Sequence, residues 1–251
     1  MKFLLTNDDG IEAEGLKTMA KALSEIGDVT VVAPETEMSA VGHSITIADP
    51  LRVRRVFRHK TLFGTAVNGT PADCVKIAIK AIMKQPPDMV ISGINHGQNV
   101  ATNIIYSGTV SAATEGMILG IPSVAISLSS FVSKDFSVAA DYGLRVIRKA
   151  HSHGMPADTL LNVNVPTVPS NEIKGIKICR NGVSKFKEVF ERRVDPRQND
   201  YYWQGGQMEM SGKDDDADIY WLQKNWVTVT PIRFDLTDHD FLQRMKEWSF
   251  K

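Results

Sequence analysis

The chain has 251 residues, is 43% hydrophobic and 23% charged, and balances 29 acidic against 29 basic side chains. That is the composition of a globular chain with a real core, and a formal net charge of zero gives no ground for nucleic acid or a membrane as partner. Cys74 and Cys179 stand far apart without CxxC spacing, which argues against a disulfide framework or a zinc site and suits a reducing cytosol; the apolar run before Asn7 is too short for a signal peptide, no stretch approaches the roughly 20 apolar residues of a membrane helix, and a cytoplasmic protein is expected.

The first predicted element is a buried strand from Lys2 to Thr6, which runs directly into Asn7-Asp8-Asp9-Gly10. Leu16, Met19, Ala20 and Leu23 recur at i, i+3, i+4 and i+7, one apolar face of a helix. Asp28–Pro34 reads as a second buried strand and Glu35–Pro50 as a long polar loop. Leu51–Phe57 and Thr61–Val67 are spaced to pair as a hairpin. Thr70-Pro71 then opens a helix, with Thr70 as N-cap, Pro71 at the first helical position and Asp73 completing a capping box; its apolar face is Val75, Ala78, Ile79 and Ile82. Asp88–Gly93 and Pro122–Ser127 are further buried strands, and Ala139, Tyr142, Gly143 and Val146 mark one more helix.

Apolar strands alternating with amphipathic helices imply an α/β fold with a mostly parallel sheet covered on both faces. Beyond about Ile173 the pattern changes. "IKICRNGVSKFKEVFERRVD" and "DYYWQGGQMEM" alternate like exposed strands, with Asn181-Gly182 as the turn signal. Trp226–Ile232 reads as a strand and Asp238–Trp248 as a short helix. The expectation is a single unit over 1–251, with a core over 1–172 and an extended β-rich appendage over 173–251 that packs on a second subunit.

Three loops at strand ends carry polar side chains with no evident structural role, at Asn7–Gly10, Glu37–Thr46 and Ser92–Gly116. In a parallel sheet, ligands bind beyond the carboxyl ends of the strands. Adjacent carboxylates repel, more so when buried, and a divalent cation would let both remain ionised. Carboxylate, hydroxyl and amide oxygens are hard donors suited to Mg²⁺ or Mn²⁺. Taken alone, "DDG" reads more readily as a helix cap or a turn than as a metal site. Ser107, Gly108 and Thr109 precede small helix-tolerant residues and so form a helix N-terminus, which favours a phosphate, though a plain Ser N-cap accounts for the segment as well. These loops and the helix end are expected to be separable sub-sites. His43 and His96 read as structural, and "KDDDAD" (Lys213 to Asp218) as a solvated loop.

In order, "LLTNDDG", "SAVGHSIT", "VNGTPADCV", "SGINHGQN", "YSGTVSAATEG", "LNVNVP", "RRVDPR" and "VTVTPIRFDLT" resemble the SurE survival-protein family over nearly the whole chain. The resemblance implies a Rossmann-like fold and a divalent-metal-dependent phosphatase acting on nucleoside 5′-monophosphates, with 3′-nucleotides and short polyphosphate as further substrates. It implies one Mg²⁺ or Mn²⁺ per subunit on Asp8, Asp9, Ser39 and Asn95, a catalytic role for Asp8, Asp9 and Asn95, phosphate contacts from Ser107, Gly108 and Thr109, and a homodimer or homotetramer built through the C-terminal extension. The motifs before that resemblance leave two alternatives: a Mg²⁺-binding receiver-like phosphoacceptor, about half this length and needing a late-strand Lys not found here, and a non-catalytic nucleotide-binding module. Sustained phosphate release separates the enzyme from both.

Overall fold

The computed structural model describes residues 1–210 and 215–250, without the side chains at 185–186 and 207–210. In chain order the elements are β1 (Lys2–Thr6), α1 (Glu14–Ser24), β2 (Asp28–Pro34), β3 (Val53–Arg58), β4 (Thr61–Val67), α2 (Pro71–Ile77), β5 (Met89–His96), α3 (Gly108–Ile118), β6 (Ser123–Leu128), α4 (Ser137–His153), β7 (Thr159–Val165), β8 (Ile176–Ile178), β9 (Ser184–Val194), β10 (Asp200–Met210), α5 (Asp218–Leu222), β11 (Val227–Arg233) and α6 (His239–Met245). Nine strands form one sheet in the order β3-β4-β2-β1-β5-β6-β7-β11-β8. From β4 to β7 all neighbours are parallel, while β3 and β11 pair antiparallel with β4 and β7. The central strands read 2-1-5-6-7, so the chain reverses its direction of travel between β1 and β5. That reversal opens a crevice beyond their carboxyl ends.

The predicted helix faces are the buried ones. Leu16, Met19 and Leu23 of α1 are sealed, as are Ala139, Tyr142, Gly143 and Val146 of α4. Along β1, Phe3 and Leu5 join the cluster under α1 and α4, whereas Leu4 packs with Val75, Ala78 and Ala112 on the α2 and α3 face. Period-two alternation thus splits one apolar strand between two cores. The Thr70 capping box forms as expected, with Thr70 Oγ1 accepting from the Asp73 N–H at 3.1 Å and the Thr70 N–H donating to Asp73 Oδ2 at 2.9 Å. The helix then relaxes into a π turn over Ala78–Ile82.

The region beyond residue 172 divides in two. β8 and β11 return to the main sheet, where β11 pairs with β7 over six residues and β8 lies along β11. Val227 and Val229 are core residues, so this part completes the sheet edge. β9 and β10 leave the sheet as a two-stranded ribbon, and α6 buries no residue. Its turn lies at Asp195–Asn199, where the Asp195 N–H donates to Asn199 O and Asp195 Oδ1 accepts from the Arg197 and Asn199 amides. Asn181-Gly182, expected as the turn, instead sits at the ribbon's root with the Gly182 N–H on Asp218 Oδ1 at 3.0 Å. The acidic run also differs from expectation. Lys213 and Asp214 fall outside the described residues, Asp215 and Asp216 are exposed, but Asp218 is fully buried and accepts from the backbone of Ala101, Gly182 and Ile219. It ties the ribbon root to the segment after β5, because a carboxylate sealed from water is held by donors.

Candidate active site

β1 ends under the sheet's crevice, and its last side chains are polar although they are sealed. The Asn7 side-chain amide donates to Gly10 O at 3.0 Å, and Gly10 has φ +94°, a conformation open to glycine. This tight turn directs both carboxylates toward the strand ends. Asp8 is 4% exposed, and Asp9 is half-buried with Oδ2 accepting the His96 N–H at 3.1 Å. That backbone amide belongs to β5, whose register against β6 shifts between Ser92 and Asn95. Gly93 lies inside the shift, where a side chain would meet Ile126 O at 2.3 Å. Asn95 donates its amide hydrogen to Gly97 O at 2.8 Å, and its amide oxygen accepts no hydrogen bond among the described residues.

The helix end meets the carboxylates directly. Ser107 caps α3, its hydroxyl accepting from the Val110 N–H at 3.1 Å. Thr109 is fully buried and its hydroxyl donates to Asp8 Oδ1. Gly108 lies against the same carboxylate: a Cβ there would stand 2.8 Å from Asp8 Cβ and 2.9 Å from its Oδ2. The first-turn amides of α3 therefore open beside Asp8. The expected separation of acidic loop and helix end does not hold, because Thr109 is bonded to the acid it was expected to stand apart from.

Ser39 lies on the exposed loop after β2, with its hydroxyl donating to Glu37 Oε1 at 2.6 Å. The loop is nevertheless pinned. The Met38 N–H donates to Asp8 O at 2.7 Å and the Gly42 N–H to Tyr106 O at 3.1 Å. Further along, His43 Nε2 lies 2.9 Å from Glu115 Oε2, Lys76 Nζ donates to Glu115 Oε1 at 2.7 Å, and the Thr46 hydroxyl donates to Asp73 Oδ2 at 2.7 Å. Burial alone would raise the Glu115 carboxyl, but the hydrogen bonds from His43 and Lys76 outweigh it and hold the group below its usual range. Glu115 lies within "YSGTVSAATEG" but no role is assigned to it there, and helical spacing alone gives no signal that a loop some 70 residues earlier folds onto it. His96 reads as structural in its ring, which donates from Nε2 to Ser133 O at 2.6 Å, yet its backbone amide orients Asp9.

The electrostatics of the pair are unbalanced. Burial lifts the Asp8 carboxyl to about 6; the Thr109 hydrogen bond pulls it down and the Asp9 charge pushes it up again. Asp9 is raised as well, by burial first and by Glu37 last, against the lowering effect of His96. No Lys or Arg forms an ion pair with either acid among the described residues. Nor do the described residues contain a cluster of three or more His, Cys, Asp and Glu side chains arranged for a metal. The candidate donors are the two carboxylates, the amide oxygen of Asn95 and Ser39, whose neighbouring backbone is tied to the pair by the His96 N–H on Asp9 and the Met38 N–H on Asp8 O. These are hard oxygen donors that fit a divalent cation keeping several waters. They also leave adjacent charges that a cation would offset.

The chain has clear counterparts. A family model described as Survival protein SurE matches residues 3–188. A protein of Syntrophobacter fumaroxidans named 5′-nucleotidase SurE is 49% identical over 249 residues, covering 99% of this chain and 100% of its own. A protein of the same name from Carboxydothermus hydrogenoformans is 47% identical over 99% of this chain and 96% of its own. The crystal structure of the SurE protein from Aquifex aeolicus superposes with a TM-score of 0.85 at 39% identity, covering 98% of each chain.

Proposed function

This chain belongs to the SurE family, and from that premise we propose that it is a 5′-nucleotidase, a phosphoric monoester hydrolase that releases inorganic phosphate from nucleoside 5′-monophosphates. Water adds to phosphorus and the bond to the 5′ oxygen breaks, freeing the nucleoside. The observation that carries this reading is the contact of the buried Asp8 with the N-terminus of α3 through the Thr109 hydroxyl. It brings a charged, cation-seeking pair and an anion-seeking helix end into one crevice, which is the combination phosphoryl transfer requires.

Asp8, Asp9, Ser39 and Asn95 would hold one Mg²⁺ or Mn²⁺ per subunit. A divalent ion there supplies charge neutralisation for the two acids and polarisation of the phosphoryl oxygen. The chain's own residues do the rest. Thr109 fixes the rotamer of Asp8, the His96 amide fixes Asp9, and the Met38 amide holds the Ser39 loop against Asp8. The Ser107 hydroxyl and the free amides of Gly108 and Thr109 receive the phosphate oxygens. We extend the substrate range to 3′-monophosphates and short polyphosphate, whose phosphoryl groups present the same oxygens to the helix end.

Residues 1–251 act as one unit in this reading, 1–172 carrying the site and 173–251 completing the sheet edge and supplying the extension. The ribbon exposes Phe190, Tyr202 and Trp203, which supports a homodimer or homotetramer built through it. No helix among the described residues is long and apolar enough to cross a membrane, and Cys74 and Cys179 are both free and buried, in keeping with a reducing cytoplasm.

The test is phosphate release from a panel of nucleoside monophosphates with Mg²⁺, with Mn²⁺ and with chelator. Many turnovers per subunit with either ion and loss in chelator are expected. A single stoichiometric phosphorylation without release would establish a phosphoacceptor instead.

A further inference from the structure

Phe131 is 81% exposed and Val132 is 88% exposed, on the loop that follows β6. Such a loop would ordinarily be mobile and polar. This one is stapled to the end of β5 and the loop that follows Asn95. The Gly97 N–H donates to Leu128 O at 2.9 Å and Ser130 O at 2.8 Å, the Ser129 hydroxyl donates to Gln98 Oε1 at 2.9 Å, and the His96 ring donates to Ser133 O at 2.6 Å. Within the loop, the Ser130 hydroxyl accepts from the Val132 amide at 3.2 Å and the Ser133 amide at 3.0 Å.

The consequence is a fixed ring. The edge of Phe131 lies against Gly97, so closely that a Cβ at Gly97 would be 2.3 Å from Phe131 Cε1. Gly97 also has φ +96°, so backbone conformation and ring contact both call for glycine there. Gly97 is two residues from Asn95 and accepts that residue's amide hydrogen at 2.8 Å. A large apolar ring has thus been positioned at the lip of the crevice while burying almost none of itself in the protein. Burying such a ring stabilises by roughly 2 kcal/mol, so leaving it in water has no stability rationale.

We propose that Phe131 is the platform on which the substrate's nucleobase stacks, making the 128–133 loop the base sub-site. This rests on the nucleotidase reading above, since it is that substrate class which brings a flat aromatic ring to within one sugar of the phosphate. Stacking on an aromatic side chain is tolerant of base identity, because every base has a π-face. The sub-site therefore favours nucleotides over sugar phosphates without choosing strongly among bases.

The experiment compares Phe131→Ala and Phe131→Trp with Tyr106→Ala, a second exposed aromatic that precedes the helix end. Substrates are adenosine 5′-monophosphate and ribose 5-phosphate, which differ only by the base. Stacking contributes about 1–3 kcal/mol per base, so Phe131→Ala should raise KM for the nucleotide about 10-fold. It should leave kcat near wild type and KM for ribose 5-phosphate unchanged, and Phe131→Trp should restore nucleotide KM. Calorimetric binding of adenosine 5′-monophosphate in Mn²⁺ should weaken by the same factor. Equal losses on both substrates, no loss on either, or a base-dependent loss confined to Tyr106→Ala would overturn the proposal. So would a changed mass by light scattering in Phe131→Ala, which would mean that a second copy covers the ring. Wild-type protein that releases no phosphate from nucleotides sinks the nucleotidase reading, and the calorimetric comparison then still decides whether Phe131 takes a base.

Discussion

The crevice at the ends of β1 and β5 and the β9–β10 ribbon are opposite violations of the same rule. In the crevice, a charged group is sealed from water: Asp8 is 4% exposed and its carboxyl is pushed up to about 6. In the ribbon, aromatic groups are given to water. Its register places Phe190, Val194 and Tyr202 on one face and Val189, Tyr201 and Trp203 on the other, and all six are exposed. Neither face has a core to rest on, and a lone two-stranded ribbon is marginal in water. Each region is locally unfavourable, and in the function proposed above each would be completed from outside the chain, by a cation and a phosphate in one case and by another protein surface in the other. Burial alone therefore does not mark function. What marks it is chemistry placed in the wrong environment.

The sharpest way to break this contrast is Asp8→Asn. It keeps size and one oxygen while deleting a charge that would face the proposed cation. Turnover in saturating Mn²⁺ should fall by orders of magnitude, since a metal supplies several kcal/mol of transition-state stabilisation. Chelated protein should melt no earlier than wild type, because the native state without metal bears a raised, repelled carboxylate. The sign follows from linkage. A carboxyl held at about 6 in the native state against an unfolded value near 3.9 binds more protons when folded. Apo stability should therefore rise as pH falls from 7 through 6 toward 4, by roughly 2 kcal/mol for a shift of this size. Asp8→Asn should flatten that dependence. A variant that melts early at every pH yet turns over normally would reduce Asp8 to a turn residue.

The ribbon is tested by charge. Phe190→Glu with Trp203→Glu puts one carboxylate on each face without touching the crevice. If these rings are interface anchors worth about 2 kcal/mol each, the assembly should dissociate about 1,000-fold more readily by light scattering. An unchanged mass would show that the ribbon's aromatics serve another purpose.

Thr109→Val sharpens the crevice itself. Removing a hydrogen bond to a charged group costs about 1.5–3 kcal/mol, so metal affinity and turnover should fall together by about 10- to 100-fold, with Thr109→Ser largely rescuing both. Turnover that drops while Mn²⁺ affinity holds would mean that the hydroxyl serves the phosphate alone. A smaller effect is expected one step away. Glu115→Gln keeps shape but weakens the bonds from His43 and Lys76, and should cost about 1 kcal/mol in thermal stability with a several-fold rise in the metal concentration required. Smallest of all is Asp216→Asn. Its pair with Arg180 at 2.8 Å is exposed on both sides, and exposed pairs contribute less than about 1 kcal/mol. Melting and phosphate release should both stay close to wild type.

Much of this was legible along the chain because it is local chemistry. The capping box at Thr70, the helical faces of Leu16 and Val146, and the two-sided burial of Phe3, Leu4 and Leu5 all follow from propensity and period, which need only near neighbours. The placement of Asp8 and Asp9 at a strand end followed from the same pattern. Three things required the tertiary structure. The return of β11 to the sheet depends on an antiparallel pairing with β7 across more than 60 residues, and the alternation of "VTVTPI" reads the same on a sheet edge as on an exposed arm. Asp218 reads as solvated among its acidic neighbours, and only the convergence of the Ala101, Gly182 and Ile219 amides makes burying it tolerable. Thr109 could be placed at a helix end from sequence, but not on Asp8, because which groups face each other across a crevice is set by strand order and the Gly108 close approach. Periodicity reports which side of an element is buried; only packing decides what it is buried against.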